Sequence, residues 1–329
     1  MKPARPRTWL LPAAFVLVAA AMPWLVETFT LIGLNVFIIL SILALSMSLV
    51  WGIGGILSFG QSVFFGLGAY AYAVTIGNFG DSTAAIAVSI AMPAVFAVVL
   101  GYFLFYGRIS DVYLAVITLT VSLIFYHLVN TLAGADFRIG EIALGGYNGL
   151  PGVAPIHLPW GPHRALSYEE MYLLSVALLA LVYLGLRILV RTDFGRIVIA
   201  IRENELRAEL LGYDARRYKL VLFVQGAAIA GLAGALYASW GSFVGPDVFG
   251  MSFAAQIIIW AQVGGVSVIA GPVLGCLLVQ ALTTWLGTSH LADANLILGL
   301  LLMLAVLGMP AGLLPGLRSL FGRAATKPS

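Results

Sequence analysis

The sequence predicts an all-α integral membrane protein with about ten transmembrane helices, and three observations carry the prediction. Hydrophobic residues make up 61% of the 329 residues and charged residues only 9%, against roughly 25% charged in soluble domains. The apolar residues form runs of about 20, the length that a helix needs to cross a hydrocarbon core of about 30 Å. The basic residues are concentrated in alternate loops. Soluble enzymes, nucleic-acid-binding proteins and disordered scaffolds need far more polar surface and are excluded.

The apolar runs divide the chain into predicted spans that together form one transmembrane domain over residues 1–329. The run that begins at Trp9 is long enough to span, so we expect a retained first helix rather than a cleaved signal. The junctions around 50–62 and 269–272 are the least distinct, and either is a candidate for a re-entrant or broken element. The predicted spans are roughly 9–26, 30–50, 62–79, 84–106, 112–133, 171–190, 220–239, 253–269, 272–288 and 294–310.

The distribution of charge orients these spans. With ten spans and a cytoplasmic N-terminus, all but two of the 17 Lys and Arg residues fall on the cytoplasmic side, the exceptions being Arg138 and Arg164. More than half of the 14 acidic residues fall on the other side. Because cytoplasmic loops accumulate basic residues, both termini are predicted to be cytoplasmic, including a tail over 311–329.

Two loops are long. The outer loop, 134–170, is rich in glycine and proline, which predicts compact turns rather than regular structure. The inner loop, 191–219, holds seven of the basic residues counted above as cytoplasmic, and Arg187 lies just before it. Its apolar residues recur at intervals of three to five, which predicts one amphipathic helix closed by Gly212 as a C-cap. These apolar residues are Ile197, Ile201, Leu206 and Leu210.

The spans carry almost no charge. Within their limits only Arg187 intrudes, close to a span end, and His127 is the one titratable group well inside. A proton-coupled carrier needs an acid, base or histidine relay there, whereas sodium bound by main-chain carbonyls stays open as an alternative. The pattern favours a passive pore, or a carrier driven from outside the chain.

Catalytic and cofactor motifs are missing from the sequence. There is no HExxH, G-x-S-x-G or G-x-x-x-x-G-K-[ST] pattern, and the single cysteine, Cys276, lies in an apolar run. No enzyme activity, metal or directly bound cofactor is therefore predicted. Any ATP hydrolysis has to come from a partner.

The segment 51–62, WGIGGILSFGQS, is the most unusual run in the chain. Glycine at this density lets helices approach closely, which is the simpler interpretation. It also lets a helix break where it lines a cavity, and the segment then offers main-chain groups together with Ser58 and Gln61 to a translocation path. A second segment, 260–275, has a similar texture, and Trp260 with Gly264 and Gly265 repeats the pattern of Trp51 with Gly54 and Gly55. This similarity predicts an internal repeat with a path at its interface.

Four blocks carry a family resemblance. They are GGILSFGQSVFFGLGAY, FGRIVIAIRENELRAELLGYDARRYKL, FVQGAAIAGLAGALYA and WAQVGGVSVIAGPVLG. In this order and spacing they resemble the permease subunits of branched-chain amino-acid ABC importers, over most of residues 35–310. The length and the long outer loop resemble the larger of the two permeases that such importers use.

The resemblance implies an import system in a bacterial cytoplasmic (inner) membrane. Its partners would be a second related permease, two cytoplasmic ATPase subunits that hold ATP and Mg, an extracytoplasmic solute-binding protein and membrane lipid, without nucleic acid. The segment Glu205-x-x-Ala208-x-x-x-Gly212 is similar to the loop that docks on the ATPase, although it lacks a Glu-Ala-Ala triplet. The residues implied for coupling are Arg196, Arg202, Glu203, Asn204, Glu205, Ala208 and Gly212.

The substrate implied is a branched-chain amino acid delivered by the binding protein. Urea, short amides and organic acids are alternatives, because the superfamily carries these too, and a passive channel or facilitator is the rival of another class. A zwitterion crossing an uncharged path needs main-chain dipoles and neutral polar groups. The path candidates are Gly54, Gly55, Ser58, Gln61, Asn130, Gln256, Gln262, Gly264 and Gly265.

Overall fold

The computed structural model describes residues 7–134, 136–157, 164–288, 299, 303 and 312–314. Most of the predicted span 294–310 and of the tail 311–329 lies outside these residues. Within the described ranges the chain forms eleven α-helices: α1 (Arg7–Ala21), α2 (Thr28–Met47), α3 (Gln61–Phe79), α4 (Ser82–Tyr106), α5 (Asp111–Thr131), α6 (Tyr168–Leu189), α7 (Asp193–Glu203), α8 (Glu205–Leu210), α9 (Ala215–Gly241), α10 (Met251–Gly264) and α11 (Gly271–Thr288).

Six helices of the described chain are long and apolar enough to cross a membrane. They are α2 with its continuation to Ile53, and α3, α4, α5, α6 and α9. The predicted class, an all-α multi-pass membrane protein, is confirmed. The prediction of about ten spans stays a prediction, because α1, α10 and α11 are shorter. At 14 residues, α10 is about 21 Å long, less than a hydrocarbon core of about 30 Å.

The centre of the structure is the packing of α9 against α3 and α4. Small residues make the contact close: a Cβ on Gly68 would collide with the main chain of Gly231, and a Cβ on Gly231 would collide with the carbonyl oxygen of Ser89. That carbonyl has lost its helical donor, since Pro93, four residues later in α4, has no N–H. Gly231 therefore packs against the Ser89 carbonyl, which has no helical hydrogen-bond donor because Pro93 lacks an N–H.

The outer loop contains more regular structure than the glycine and proline content predicts. Three two-residue strands form in this loop. β1 (Arg138–Ile139) pairs antiparallel with β2 (Ile142–Ala143), and β3 (Leu150–Pro151) pairs antiparallel with β4 (Phe243–Val244), which follows α9. The prediction of turns alone was wrong. Gly145, Gly146 and Gly149 adopt positive φ, and these turns bring β3 alongside the distant residues of β4.

The inner loop forms two helices, α7 and α8, where one was predicted. Asn204 interrupts the helix with extended dihedrals (φ −160°, ψ 99°), and its side chain accepts a hydrogen bond from the N–H of Arg207. An asparagine in this position starts a new helix, because its side chain replaces the missing helical acceptor. The interruption rotates α8, so Ile201 is buried whereas Leu206 and Leu210 are 68% and 80% exposed.

Candidate functional site

A cavity of about 650 Å³ lies where four distant segments of the chain meet. The first segment is the end of α2, the second joins α7 to α8, the third is the start of α9, and the fourth follows α10. The cavity contains members of both predicted sets, the coupling residues and the path residues. Its lining comprises Trp51, Gly54, Gly55, Ile56, Ile201, Arg202, Glu203, Asn204, Glu205, Lys219, Gln262, Val266 and Ser267.

The first wall is a broken helix end. Helix α2 continues as a π-helical segment, Ser48–Ile53, and Gly55 then turns the chain with φ +73°. The N–H of Ile56, which a continuing α-helix would direct at Gly52, bonds the carbonyl of Val50 at 3.1 Å. The carbonyl of Gly52 is thereby released from the helical ladder, since a π-segment shifts every partner by one residue.

Arg202 of α7 contacts this broken end in two ways. Its Nη1 donates a hydrogen bond to the carbonyl oxygen of Gly52. Its aliphatic stem lies over Gly55, where an added Cβ would come within 2.7 Å of Cγ. A cation at a helix C-terminus also offsets the partial negative charge of the unpaired carbonyls. The predicted coupling residue Arg202 therefore contacts the predicted path residue Gly55 directly and bonds Gly52 close beside it.

The segment that follows α10 forms another wall of the cavity, and it too begins at a broken helix end. Helix α10 stops at Gly264, and Gly265 turns the chain with φ +103°. Helix α11 then returns so close that a Cβ on Gly275 would stand 3.0 Å from the Cα of Gly264. The two breaks touch, since a Cβ on Gly52 would collide with the carbonyl oxygen of Val266. The two similar glycine segments of the sequence, 51–62 and 260–275, thus lie in contact with each other.

The start of α8 is fixed to α9 by an ion pair. Lys219 Nζ lies 2.6 Å from Glu205 Oε2, and the lysine side chain is 16% exposed against 46% for the glutamate. Glu205 occupies the first turn of α8, where a carboxylate is favoured by the helix dipole. The pair joins the docking segment to the base of the longest described helix.

Gly212 closes α8 in the conformation that its position predicts. Its φ is +90°, its N–H bonds the carbonyl of Glu209 at 2.9 Å, and the N–H of Tyr213 bonds that of Ala208 at 3.2 Å. This pair of bonds is the Schellman motif, which needs a left-handed residue after the helix. The predicted glycine C-cap is confirmed. Ala208 is buried beneath the cap.

An exposed apolar surface on α8 and its C-cap escaped the sequence-based reasoning. Leu206, Leu210 and Leu211 are 68%, 80% and 72% exposed. We name these three residues the leucine surface. Asn204, a strong helix N-cap in the middle of a helical pattern, is the signal that would have revealed the break and hence the exposure. Lys219, Val266 and Ser267 were missed as cavity residues because they come from other segments.

The remaining predicted residues lie outside the cavity lining. Gln61 is buried and accepts a hydrogen bond from Ser46 Oγ at 3.1 Å, while Ser58 Oγ accepts from the N–H of Gly60 at 3.0 Å. Asn130 donates to the carbonyl of Tyr126 at 2.7 Å within α5. Gln256 is half-buried in α10. Arg196 lies on the exposed face of α7, 3.4 Å from Asp193.

Charged groups of both signs lie at the cavity. Two cations and two carboxylates face the cavity: Arg202, Lys219, Glu203 and Glu205. In the part of the chain that the structure describes, no group of three or more His, Cys, Asp or Glu residues has the arrangement of a metal site. The buried thiol of Cys276 lies away from this lining.

Comparison with known proteins identifies the family of the chain. Residues 29–307 match the family described as branched-chain amino acid transport system / permease component. The high-affinity branched-chain amino acid transport system permease protein LivM of Escherichia coli (strain K12) is 28% identical over 328 residues, which cover 92% of this chain and 74% of that protein. The protein of the same name from Salmonella typhimurium is 27% identical over 329 residues, with the same coverage.

A third relative matches a shorter part. A probable branched-chain amino acid transport permease protein LivM of Methanocaldococcus jannaschii is 32% identical over 94 residues, 29% of this chain and 26% of that protein. No solved structure matches. Since the family match extends over most of the chain, together with helices able to span a membrane, the chain belongs to the permease components of branched-chain amino acid transport systems.

Proposed function

We propose that this permease forms part of the path by which branched-chain amino acids, delivered by an external solute-binding protein, enter the cytoplasm. Two cytoplasmic ATPase subunits dock on α7 and α8 and drive transport, and a second related permease forms the other part of the path. The sequence lacks the G-x-x-x-x-G-K-[ST] pattern that binds nucleotide phosphates, so we assign ATP and Mg to the ATPases. The termini and the 193–212 segment face the cytoplasm of a bacterial cell, across its inner membrane.

One observation carries this proposal: Arg202 connects the inner loop to the broken end of α2. The hydrogen bond to Gly52 and the packing on Gly55 join α7 to the break, so we expect the two to move together. Because Gly52 in turn contacts Val266, the second break follows. A displacement of α7 by an ATPase is thereby transmitted to both glycine breaks through direct contacts.

The leucine surface supports docking at α8. Exposed leucines on a short polar helix are unfavourable in water, and a partner that covers them gains apolar burial. Glu203 and Asn204 directly precede α8, and Arg196 lies on the exposed face of α7; their charged and amide groups suit the polar rim of an interface. Glu205, Ala208 and Gly212 fix the angle of α8 through the ion pair and the cap.

The glycine breaks suit a zwitterion as the transported species. Gly54 and Gly55 present main-chain dipoles to the cavity, and Gln262 adds a neutral amide. Gly264 and Gly265 form the adjoining break at the end of α10. Such groups stabilise separated charges without holding the solute tightly. Ser58, Gln61, Asn130 and Gln256 are proposed to line deeper parts of the path when the helices rearrange.

Reconstitution of the complete transporter in liposomes tests the proposal. We expect uptake of radiolabelled leucine that requires ATP, both ATPase subunits and the binding protein. Uptake that persists without the ATPase subunits would identify a passive channel or facilitator instead. A binding protein that captures urea, amides or organic acids, and not leucine, would overturn the amino-acid assignment but leave the coupling intact.

A further inference from the structure

The cavity between the two glycine breaks has a charge pattern that docking does not require. Its lining holds two cations, Arg202 and Lys219, and two carboxylates, Glu203 and Glu205, so its fixed charges sum to zero. A wall of this kind has no overall attraction for an anion or a cation. It matches a ligand that bears one charge of each sign.

Three of these four groups are already engaged with the protein. Lys219 pairs with Glu205 at 2.6 Å, and Arg202 holds Gly52. Glu203 forms no ion pair within the described residues. It is therefore the carboxylate that is ready to receive a cationic group. Lys219 is the cation whose present partner, Glu205, is the more exposed of the two, and a second carboxylate can compete for it.

The rest of the wall is of suitable size and mixes apolar groups with the neutral polar residues Asn204, Gln262 and Ser267. Among the apolar groups, Trp51 and Val266 are half-buried and keep surface that a ligand can cover, whereas Ile56 and Ile201 are already buried. The volume, about 650 Å³, lies inside the range of about 300–1,000 Å³ found for small-molecule sites. An aliphatic side chain gains burial here, whereas a charged one does not.

We propose that this cavity is a weak site for a zwitterionic amino acid with an aliphatic side chain, entered from the cytoplasm. The ammonium group binds Glu203, the carboxylate binds Lys219, and the side chain packs against Trp51 and Val266. The direction of entry rests on the orientation given in the proposed function. The site itself rests on the cavity and its charges.

Occupancy of the site has a consequence for transport. A carboxylate on Lys219 competes with Glu205 and weakens the pair that joins α8 to α9. The same ligand lies against Arg202, the residue that transmits motion to the breaks. Amino acid accumulated in the cytoplasm therefore slows its own import by loosening the coupling segment.

The test uses the complete transporter in liposomes that contain ATP, with leucine, leucine amide or 4-methylpentanoate added inside. Leucine amide lacks the carboxylate and 4-methylpentanoate lacks the ammonium group. We expect internal leucine at millimolar concentration to lower the initial uptake rate, with at least a ten-fold weaker effect from either analogue. Equal inhibition by all three compounds, or none by leucine, would overturn the proposal.

A pair of variants locates the effect. Glu203→Gln should raise the internal leucine concentration needed for half-inhibition by about ten-fold, relative to its own uninhibited rate. The matched change Glu209→Gln, on an exposed α8 residue outside the lining, should leave that concentration as in the parent. An identical response of both variants would place inhibition elsewhere.

A direct measurement separates this site from the transport function. Saturation-transfer NMR on the assembly of permeases and ATPases, without the binding protein, should show leucine contacts that Glu203→Gln weakens and Glu209→Gln keeps. Absence of ATP-driven uptake in the parent would contradict the proposed function, whereas the leucine signal would still report on the site. Absence of a leucine signal from the parent assembly refutes the site.

Discussion

Arg202 and Gly52 lie 150 residues apart in the chain, and the guanidinium group of the first donates a hydrogen bond to the main-chain carbonyl of the second. A side chain on a surface helix thus satisfies a main-chain group that a broken membrane helix leaves open. Each group supplies what the other lacks: the carbonyl has no helical donor, and Arg202 forms no ion pair with a carboxylate among the residues that the structure describes. The bond makes the inner loop part of the membrane helix that it contacts.

Replacing Arg202 should uncouple the transporter without preventing assembly. In Arg202→Gln, the cation is lost from the end of α2, and we expect ATPase subunits that copurify normally but show little substrate-stimulated hydrolysis. Arg202→Lys keeps the charge and loses the reach of the planar fork, so an intermediate rate is expected. Arg217→Gln removes an exposed charge of α9 outside the cavity lining and serves as the control. Equal stimulation in all three would show that the bond has no role in coupling.

Substitutions at Gly212 should act through conformation alone. With φ +90° and no atom within 4 Å of an added Cβ, Gly212→Val is strained by about 1–2 kcal/mol but has space. We expect normal amounts of membrane protein, weak ATPase binding and little uptake. Asparagine tolerates this region, so Gly212→Asn should retain more uptake. The comparison is made by pull-down and vesicle uptake, and equal uptake by the two variants would remove the capping argument.

The leucine surface should contribute to ATPase affinity rather than to folding. Leu206→Ala with Leu210→Ala removes exposed side chains, so the midpoint of thermal unfolding of the permease should hardly change. Each leucine buried at an interface contributes about 1–2 kcal/mol, so affinity for the ATPase should fall by roughly ten-fold or more. Leu181→Ala, a 65% exposed residue of α6, is the matched control. Unchanged affinity measured by biolayer interferometry would place docking elsewhere.

The Lys219–Glu205 pair should be recoverable by exchange. Glu205→Lys places two like charges together and is expected to abolish substrate-stimulated ATP hydrolysis. Adding Lys219→Glu restores the attraction, but it leaves a lysine in the first turn of α8, where the helix dipole disfavours it. The double variant should therefore recover part of the activity. A double variant no better than the single one would mean that Glu205 acts through another partner.

Close glycine packing should make Gly68→Ala strongly destabilising. Its Cβ would collide with the main chain of Gly231, and forcing α3 and α9 apart costs about 1–3 kcal/mol. Gly185→Ala, in α6 with no atom near the added Cβ, should instead be neutral or slightly stabilising, because alanine is the better helix former. Thermal unfolding in detergent, followed by fluorescence, distinguishes them. Similar midpoints would contradict the close approach.

Composition and run length were sufficient to predict a helical membrane protein, and a glycine after the last helical turn was sufficient to predict the cap at Gly212. The single inner helix was wrong, because its apolar spacing continues through Asn204 while the side chain of that residue ends the helix. The cavity could not be predicted for a different reason. Lys219 and Val266 line it only because α9 and α10 pack against other helices, and a local sequence pattern does not specify long-range packing.

The proximity of α9 to α3 has a consequence for biogenesis. Helix α3 is the least apolar of the six candidate spans and is largely enclosed by protein. The helix that covers its glycine face, α9, is synthesised only after three further candidate spans (α4, α5 and α6) and both long loops. Until then the groove of α3 and α4, with its proline-freed carbonyl at Ser89, faces lipid or the insertion machinery. A nascent chain truncated before α9 is therefore expected to retain α3 poorly in the bilayer. Insertion of α9 would then stabilise α3 and α4 late in biogenesis.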